Sequence, residues 1–183
     1  MITISGLPCA GKTTLINKLC KQFPNLYRVN EYQRTLSGAV DWGKYIAGNI
    51  DIVTYQKRMI DYVVAEIAKK PKNKTILVDK NPWYGVDVYC KYDLNRKLLT
   101  KEQFDEISNY YAKFFPRPTK IEEITEDVNF EKYLDGFDHD LILRTNTELI
   151  NERMCKRGDP GEWDYYFSMG NFSHIAELDA KWN

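Results

Sequence analysis

The chain has 183 residues, enough for one sizeable α/β domain and too few for two. Lysine plus arginine and aspartate plus glutamate number 26 each, so the net charge of zero argues against duplex nucleic acid as the main partner. The cysteines are widely spaced and lack zinc-ligand spacing, and the apolar N-terminal run is too short for a signal peptide. No stretch has the length of a membrane span. These features predict a cytoplasmic protein without a membrane partner.

Apolar runs rich in β-branched residues alternate along the chain with segments of helical periodicity. The predicted elements are, in chain order, strand 1–4, helix 14–20, strand 26–30, helix 52–68, strand 75–78, helix 100–115, strand 141–143, helix 147–157 and a short helix in the C-terminal tail. Residues 35–50 predict a loop with a short helix at 42–46, residues 83–99 are partly helical, and the acidic residues 119–139 indicate no clear element. This order predicts a three-layer α/β/α sandwich with a parallel sheet of four to five strands.

Residues Gly6 to Thr13 fit the phosphate-binding pattern G-x-x-x-x-G-K-S/T and lie between a predicted strand and a predicted helix. Main-chain N–H groups and the helix dipole favour an anion there, Lys12 can reach the β- and γ-phosphates, and the Thr13 hydroxyl can hold Mg²⁺. A chance match in an ordinary glycine-containing turn is the alternative. We expect ATP and Mg²⁺ to bind through Gly6, Pro8, Cys9, Ala10, Gly11, Lys12, Thr13 and Thr14.

Charged side chains follow the second and third predicted strands, at the carboxyl ends where parallel α/β sheets place their sites. Asp79 could hold the metal and Lys80 could reach the phosphoryl group, whereas the structural alternative is an aspartate that caps the next turn. Glu31 could accept the proton of an attacking hydroxyl, with Arg34 beside it in the acceptor site. The alternative for this second pair is a surface salt bridge.

Arg153 and Arg157 are four residues apart and therefore share one helix face, just before the break at 158–161. Two guanidinium groups at that place suit a lid that closes on phosphates, although a solvated cationic helix end is the alternative.

Gln56, in the 52–68 helix, carries the donor and the acceptor that a nucleobase edge can pair with, although a lone glutamine is as often a solvent-facing residue. Aromatic residues are numerous enough to stack a base, yet most of them must be core. Among them we assign Trp83 to the acceptor site.

The chain resembles the P-loop nucleoside and nucleotide kinases, most closely the deoxynucleoside kinase family. The match runs from Leu143-Arg144-Thr145 and Glu148 to Glu152-Arg153 and Arg157-Gly158. The family pattern here is a strand ending L-R-T, then P-E, then E-R-x-x-x-R-G-R-x-x-E. The resemblance implies a lid over about 153–162, in which Arg153 and Arg157 contact the ATP phosphates.

Other segments are similar to the family at single positions. Tyr55-Gln56 resembles the aromatic–Gln pair that contacts the base, and Glu31 resembles the glutamate that activates the sugar 5′-hydroxyl. Asp79-Lys80-Asn81 stands where the family has Glu-Arg-Ser, so the bidentate arginine is lost. Tyr32 and Asp159 replace a proline and the third arginine of the lid.

These features predict a single kinase domain over 1–183, with an acceptor-binding helical region at about 35–68 and 83–115. The expected reaction moves the γ-phosphoryl group of ATP to a hydroxyl or phosphate of a nucleoside or nucleotide. Lys12, Lys80, Arg153 and Arg157 would neutralise the developing charge.

Three alternatives to this function stay open, and the sequence is also compatible with a homodimer. Residues 31–34 also resemble the E-x-x-R segment of ribosylnicotinamide kinase-like proteins. The second alternative is a polynucleotide or modified-base DNA kinase, because polynucleotide 5′-kinases share the loop and the lid. Its acceptor would be a nucleic acid, which the neutral net charge does not favour. A nucleotide-dependent switch is the non-enzyme alternative, against which the missing N-K-x-D segment argues.

Overall fold

The sheet has five parallel strands in the order β2-β3-β1-β5-β4. A computed structural model describes residues 1–157 and 172–182. The strands are β1 Ile2–Ser5, β2 Leu26–Val29, β3 Thr75–Asp79, β4 Ile121–Ile124 and β5 His139–Leu143. Strands β2 and β3 lie on one side of β1, and the later strands β4 and β5 lie on its other side, so the loop after β1 lies at the crevice where the strand order reverses.

Helices cover the sheet and complete the three-layer α/β/α fold that the sequence predicts. They are α1 Lys12–Gln22, α2 Leu36–Ile46, α3 Ile52–Ala68, α4 Pro82–Tyr84, a π-helical stretch Gly85–Cys90, α5 Lys91–Asn95, α6 Lys101–Ala112, α7 Thr147–Arg157 and α8 Phe172–Ala180, with 3₁₀ turns at Tyr32–Arg34 and Phe130–Tyr133. None of the helices in the described part of the chain is long and apolar enough to span a bilayer.

Side-chain caps explain where several helices begin. Asp51 accepts a hydrogen bond from the Thr54 amide at 2.9 Å, which starts α3 at the predicted residue. Thr100 and Gln103 form a capping box at the start of α6. Helix α7 begins at the predicted Thr147, where the Asn146 side chain accepts a hydrogen bond from the Glu148 amide at 2.7 Å.

Two segments differ from the sequence prediction. Helix α2 begins at Leu36, not near Trp42, because the Thr35 hydroxyl accepts the Gly38 amide at 3.0 Å. Residues 119–139, for which the sequence indicates no clear element, contain strand β4 at an edge of the sheet.

Two hydrophobic clusters hold the layers together. The first joins the central strands to α1, α7 and the C-terminal residues, and it includes Ile4, Ile16, Leu141 and Ile175. The second lies among α3, the π-helical stretch and α6, and it includes Ile60, Val86, Ile107 and Tyr111. Helix α8 is also tied to the sheet by a polar contact, since the buried Asp179 carboxylate accepts hydrogen bonds from Tyr84 and Arg144. The clusters fix the helices that carry the candidate site.

Candidate active site

The carboxyl ends of all five strands meet at one edge of the sheet, and charged or phosphate-binding residues follow each of them. They are the Gly6–Thr13 loop after β1, Glu31 after β2, Asp79 and Lys80 at the end of β3, Glu126 after β4 and Arg144 after β5. Parallel strands bring these positions together although they are far apart in the sequence.

The loop after β1 has the backbone conformation that its glycines allow. Gly6 has φ +139°, and a Cβ there would lie 2.6 Å from the Leu143 carbonyl oxygen at the end of β5. Gly11 has φ +102°, and a Cβ there would lie 2.8 Å from Glu126 Oε1 and 3.2 Å from Arg153 Nη1. Both positions therefore require glycine. Beside them, the Thr145 hydroxyl donates to the Ala10 carbonyl at 2.8 Å and ties the loop to β5.

Lys12 is buried at the start of α1, with its side chain folded across the loop. Its Nζ donates to the Gly6 and Leu7 carbonyl oxygens, each at 2.9 Å. Burial lowers the pKa of this ammonium group, and the negative charge of Glu31 partly opposes that effect. The loop carbonyls thus hold the ammonium beside the N-terminus of α1, where an anion binds most readily.

Glu31 is surrounded by cations. Its carboxylate forms an ion pair with Lys80, and its other oxygen lies 3.7 Å from Arg34 Nε. Burial alone would raise the pKa of the Glu31 carboxyl, but the charges of Lys80, Lys12 and Arg34 outweigh it and lower that pKa to about 2. Glu31 is therefore ionised at neutral pH and is available to accept a hydrogen bond from a hydroxyl group. Lys80 reaches it from a backbone with φ +79°.

Asp79 is the buried carboxylate at the end of β3, and it pairs with Ile4 of β1 in the sheet. Arg28 Nη2 lies 3.4 Å from its Oδ2, whereas its Oδ1 has no hydrogen-bond partner among residues 1–157 and 172–182. Burial raises the pKa of Asp79, and the nearby charge of Glu31 raises it further. A buried carboxylate oxygen without a donor is suited to a cation.

A cavity of about 300 Å³ lies over the phosphate loop. Its lining residues are Cys9, Gly11, Lys12, Thr13, Thr14, Arg34, Glu126, Arg153 and Arg157. Both arginines predicted for the lid are thus present, together with Arg34, which the sequence assigns to the acceptor. Residues 158–162 of the predicted lid lie outside the described residues.

Arg153 lies against the loop itself. Its Nη1 is 3.2 Å from the Ala10 carbonyl oxygen, 3.5 Å from the Cys9 carbonyl oxygen and 2.7 Å from Glu126 Oε1. Arg157 lies farther out, with Nη1 at 3.9 Å from Cys9 Sγ. The two guanidinium groups therefore add positive charge on the open side of the loop.

A second, smaller pocket lies between α2, α3 and the π-helical stretch, and its walls include Trp42, Tyr45, Tyr55, Gln56, Lys80 and Asp93. Gln56 is buried, and its Oε1 accepts a hydrogen bond from the Tyr111 hydroxyl at 2.7 Å. This bond fixes the amide, so the NH₂ group is what Gln56 can offer to a ligand. The Tyr45 and Tyr55 rings stack at 5.4 Å with an interplanar angle of 11°.

Trp83, which the sequence assigns to the acceptor site, is not among the residues that line this pocket. It is 3% exposed, its Nε1 donates to the Phe115 carbonyl oxygen at 3.1 Å, and Arg117 stacks on its ring at 4.0 Å. Trp83 is a core residue of the second hydrophobic cluster.

Sequence reasoning missed Glu126 and Tyr111. Glu126 belongs to a segment whose strand is an edge strand with two glutamates, Ile121–Ile124, so no apolar pattern marks it. Tyr111 lies on the buried face of α6, where an aromatic residue signals only core. Recognition of β4 would have placed Glu126 at a strand end, beside the phosphate loop.

Comparisons with known proteins agree with the fold. A sequence model of the family described as an AAA domain matches residues 1–134, and no curated protein sequence matches the chain. A deoxyadenosine kinase from M. mycoides with bound dATP has a TM-score of 0.65 at 14% identity, covering 98% of this chain and 82% of that one. The structure of that kinase with the products dCMP and a flexible dCDP gives a TM-score of 0.61 at 15% identity, with 98% and 81% covered. The resemblance to deoxynucleoside kinases is confirmed in the fold.

Proposed function

The chain belongs to the AAA domain family, and from this premise we propose that it is an ATP- and Mg²⁺-dependent kinase for a nucleoside or nucleotide acceptor. The observation that carries the proposal is that Glu31 pairs with one residue from each of two pockets. Arg34 lines the cavity over the phosphate loop, Lys80 lines the pocket that contains Gln56, and both pair with Glu31 between them. A hydroxyl group beside Glu31 would therefore lie next to a triphosphate on the loop.

Phosphoryl transfer depends on positioning and charge neutralisation, and the residues present suit both. The loop amides and Lys12 bind the triphosphate. Arg153 and Arg157 approach it from the open side, and Lys80 approaches from the acceptor side. Glu31 orients the acceptor hydroxyl as a hydrogen-bond acceptor, and it takes up the proton only as the oxygen bonds to phosphorus and becomes strongly acidic. Water is excluded by a lid over about 153–162.

Thr13 and Asp79 are the residues that would hold Mg²⁺. The fit rests on Asp79 Oδ1, which is buried and lacks a donor among the described residues, and on Thr13, which lines the loop cavity. When bound, Mg²⁺ neutralises charge on the β- and γ-phosphates.

The acceptor would lie in the helical region formed by about 35–68 and 83–115, with its base near Gln56 and among the aromatic rings of Trp42, Tyr45 and Tyr55. Support for a nucleotide-type acceptor comes from the M. mycoides kinase of similar fold, whose structures contain dATP, dCMP and dCDP. Among the residues that the structure describes, no feature of the site favours the DNA kinase, the ribosylnicotinamide-type kinase or the switch over this acceptor class.

A phosphoryl-transfer screen with radiolabelled ATP tests the proposal. The acceptors are deoxynucleosides, ribonucleosides, their monophosphates, ribosylnicotinamide and DNA 5′ ends. We expect magnesium-dependent transfer to at least one nucleoside or monophosphate, and none without an acceptor beyond slow hydrolysis. Transfer only to DNA ends or only to ribosylnicotinamide would refute the acceptor class, and ATP turnover that ignores every acceptor would refute the kinase.

A further inference from the structure

An acidic residue lies where an anion must bind, and the proposed reaction does not use it. Glu126 follows the edge strand β4 and lines the cavity over the phosphate loop, with Oε1 2.8 Å from where a Cβ on Gly11 would lie. A carboxylate so close to the loop repels phosphates. The position of Glu126 would be explained if it contributed enough to the reaction to offset this repulsion.

The contacts of Glu126 indicate that contribution. Its Oε1 accepts a hydrogen bond from Arg153 Nη1 at 2.7 Å, and the same Nη1 lies 3.2 Å from the Ala10 carbonyl oxygen and 3.5 Å from that of Cys9. A carboxylate and the loop itself thus hold one nitrogen of the guanidinium group. Nη2 and Nε are then the donors that Arg153 can direct at a phosphoryl group, in the planar geometry that suits phosphate.

Stability does not account for this ion pair. The Glu126 side chain is 47% exposed and that of Arg153 is 32% exposed, and ion pairs at such exposure contribute little to folding. Arginine side chains are flexible, so a lid arginine without a fixed partner would have to be ordered at each turnover.

We propose that Glu126 is a positioning residue, which holds Arg153 on the phosphate loop in the orientation that phosphoryl transfer needs. The proposal rests on the proposed kinase function. Glu126 acts through Arg153 and does not itself bind the substrate. Its effect is therefore expected in kcat, since ATP binding depends mainly on the loop amides and Lys12.

The test compares wild type with Glu126→Gln, Glu126→Asp, Arg153→Met and the double variant Glu126→Gln/Arg153→Met. Glu123→Gln is the matched control, because Glu123 lies on the edge strand that Glu126 follows and pairs with an arginine, Arg144, but does not line the cavity. Steady-state kcat and KM for ATP are measured with the acceptor found in the screen, and Kd for a non-hydrolysable ATP analogue is measured by calorimetry. Thermal unfolding confirms that each variant folds.

We expect Glu126→Gln to lower kcat about tenfold, to leave the Kd for the analogue unchanged or tighter, and to cause no further loss of kcat in the Arg153→Met background. Glu126→Asp should recover part of the loss, and Glu123→Gln should match wild type. An unchanged kcat in Glu126→Gln, or an equal loss with and without Arg153, would overturn the proposal. Tighter analogue binding with unchanged kcat would make Glu126 only a competing anion.

Failure of the kinase function gives a different result. If wild type transfers to no acceptor, the same set of variants is compared by the rate of intrinsic ATP hydrolysis. We expect the same ranking of the variants, and again no effect of Glu126→Gln when Arg153 is replaced by Met. Missing acceptor transfer counts against the proposed function, whereas Glu126 and Arg153 acting independently counts against the positioning role.

Discussion

Replacement of Glu31 by glutamine should destabilise the protein in a pH-dependent way. The side chain is 15% exposed and paired with Lys80, so the substitution removes the charge that compensates a buried cation cluster. The pKa of Glu31 falls from its ordinary 4.5 to about 2 in the folded protein. At ~1.4 kcal/mol per pKa unit this corresponds to about 3 kcal/mol of stability at neutral pH.

The sign follows from the direction of that change. A carboxyl whose pKa is lower in the folded state stabilises the protein fully above its unfolded-state pKa, and the contribution is lost as the pH falls from about 4.5 toward 2. Because glutamine mimics the protonated acid, the stability difference between wild type and Glu31→Gln should be largest near pH 7 and should shrink at pH 3.

Guanidinium chloride unfolding, followed by tryptophan fluorescence at pH 7 and pH 3, measures this difference. Glu106→Gln is the control, since it removes one carboxylate from an exposed pair with Lys57 and such pairs contribute about 0–1 kcal/mol. In activity assays Glu31→Gln should lower kcat far more than it weakens ATP binding. The reasoning is refuted if Glu31→Gln is as stable as wild type at pH 7, or if its deficit is equal at both pH values.

Two further substitutions separate acceptor recognition from fold stability. Gln56→Leu should raise the acceptor KM about tenfold with the ATP KM unchanged, because it removes a hydrogen-bonding amide from the second pocket, and Tyr111→Phe should have a smaller effect in the same direction. An equal rise in both KM values would contradict the assignment of that pocket. Asp179→Asn should destabilise the protein by about 1–3 kcal/mol without changing ATP affinity, because it leaves Arg144 without its buried carboxylate. Chemical unfolding beside the exposed control Glu177→Gln checks this, and a loss confined to ATP affinity would contradict it.

The parts of the fold that local chemistry specifies could be predicted from the sequence. Ile52–Ala68 begins and ends as predicted because one apolar face and the Asp51 cap determine it locally. The phosphate loop was equally clear, since its glycines, Lys12 and Thr13 are consecutive in the sequence and lie between a strand and a helix.

What depends on tertiary contacts could not be predicted. β4 is an edge strand, so only its two isoleucines carry an apolar signal, and Glu126 was missed with it. Trp83 looked like a stacking residue because composition does not distinguish an aromatic in a pocket wall from one in the core. Its indole N–H pairs with Phe115, far along the chain. The lowered pKa of Glu31 likewise requires Lys12, Arg34 and Lys80 to converge in space.

The central claim is that the loop after β1 binds a nucleoside triphosphate through its amides and Lys12. Isothermal titration calorimetry of ATP with and without Mg²⁺ tests it most directly, on wild type, Lys12→Met and the exposed control Lys18→Met from the same helix. We expect saturable, magnesium-dependent binding that Lys12→Met weakens at least about tenfold, since a charged hydrogen bond to phosphate is lost, and that Lys18→Met leaves intact. Wild type without magnesium-dependent affinity, or Lys12→Met with unchanged affinity, would contradict the claim.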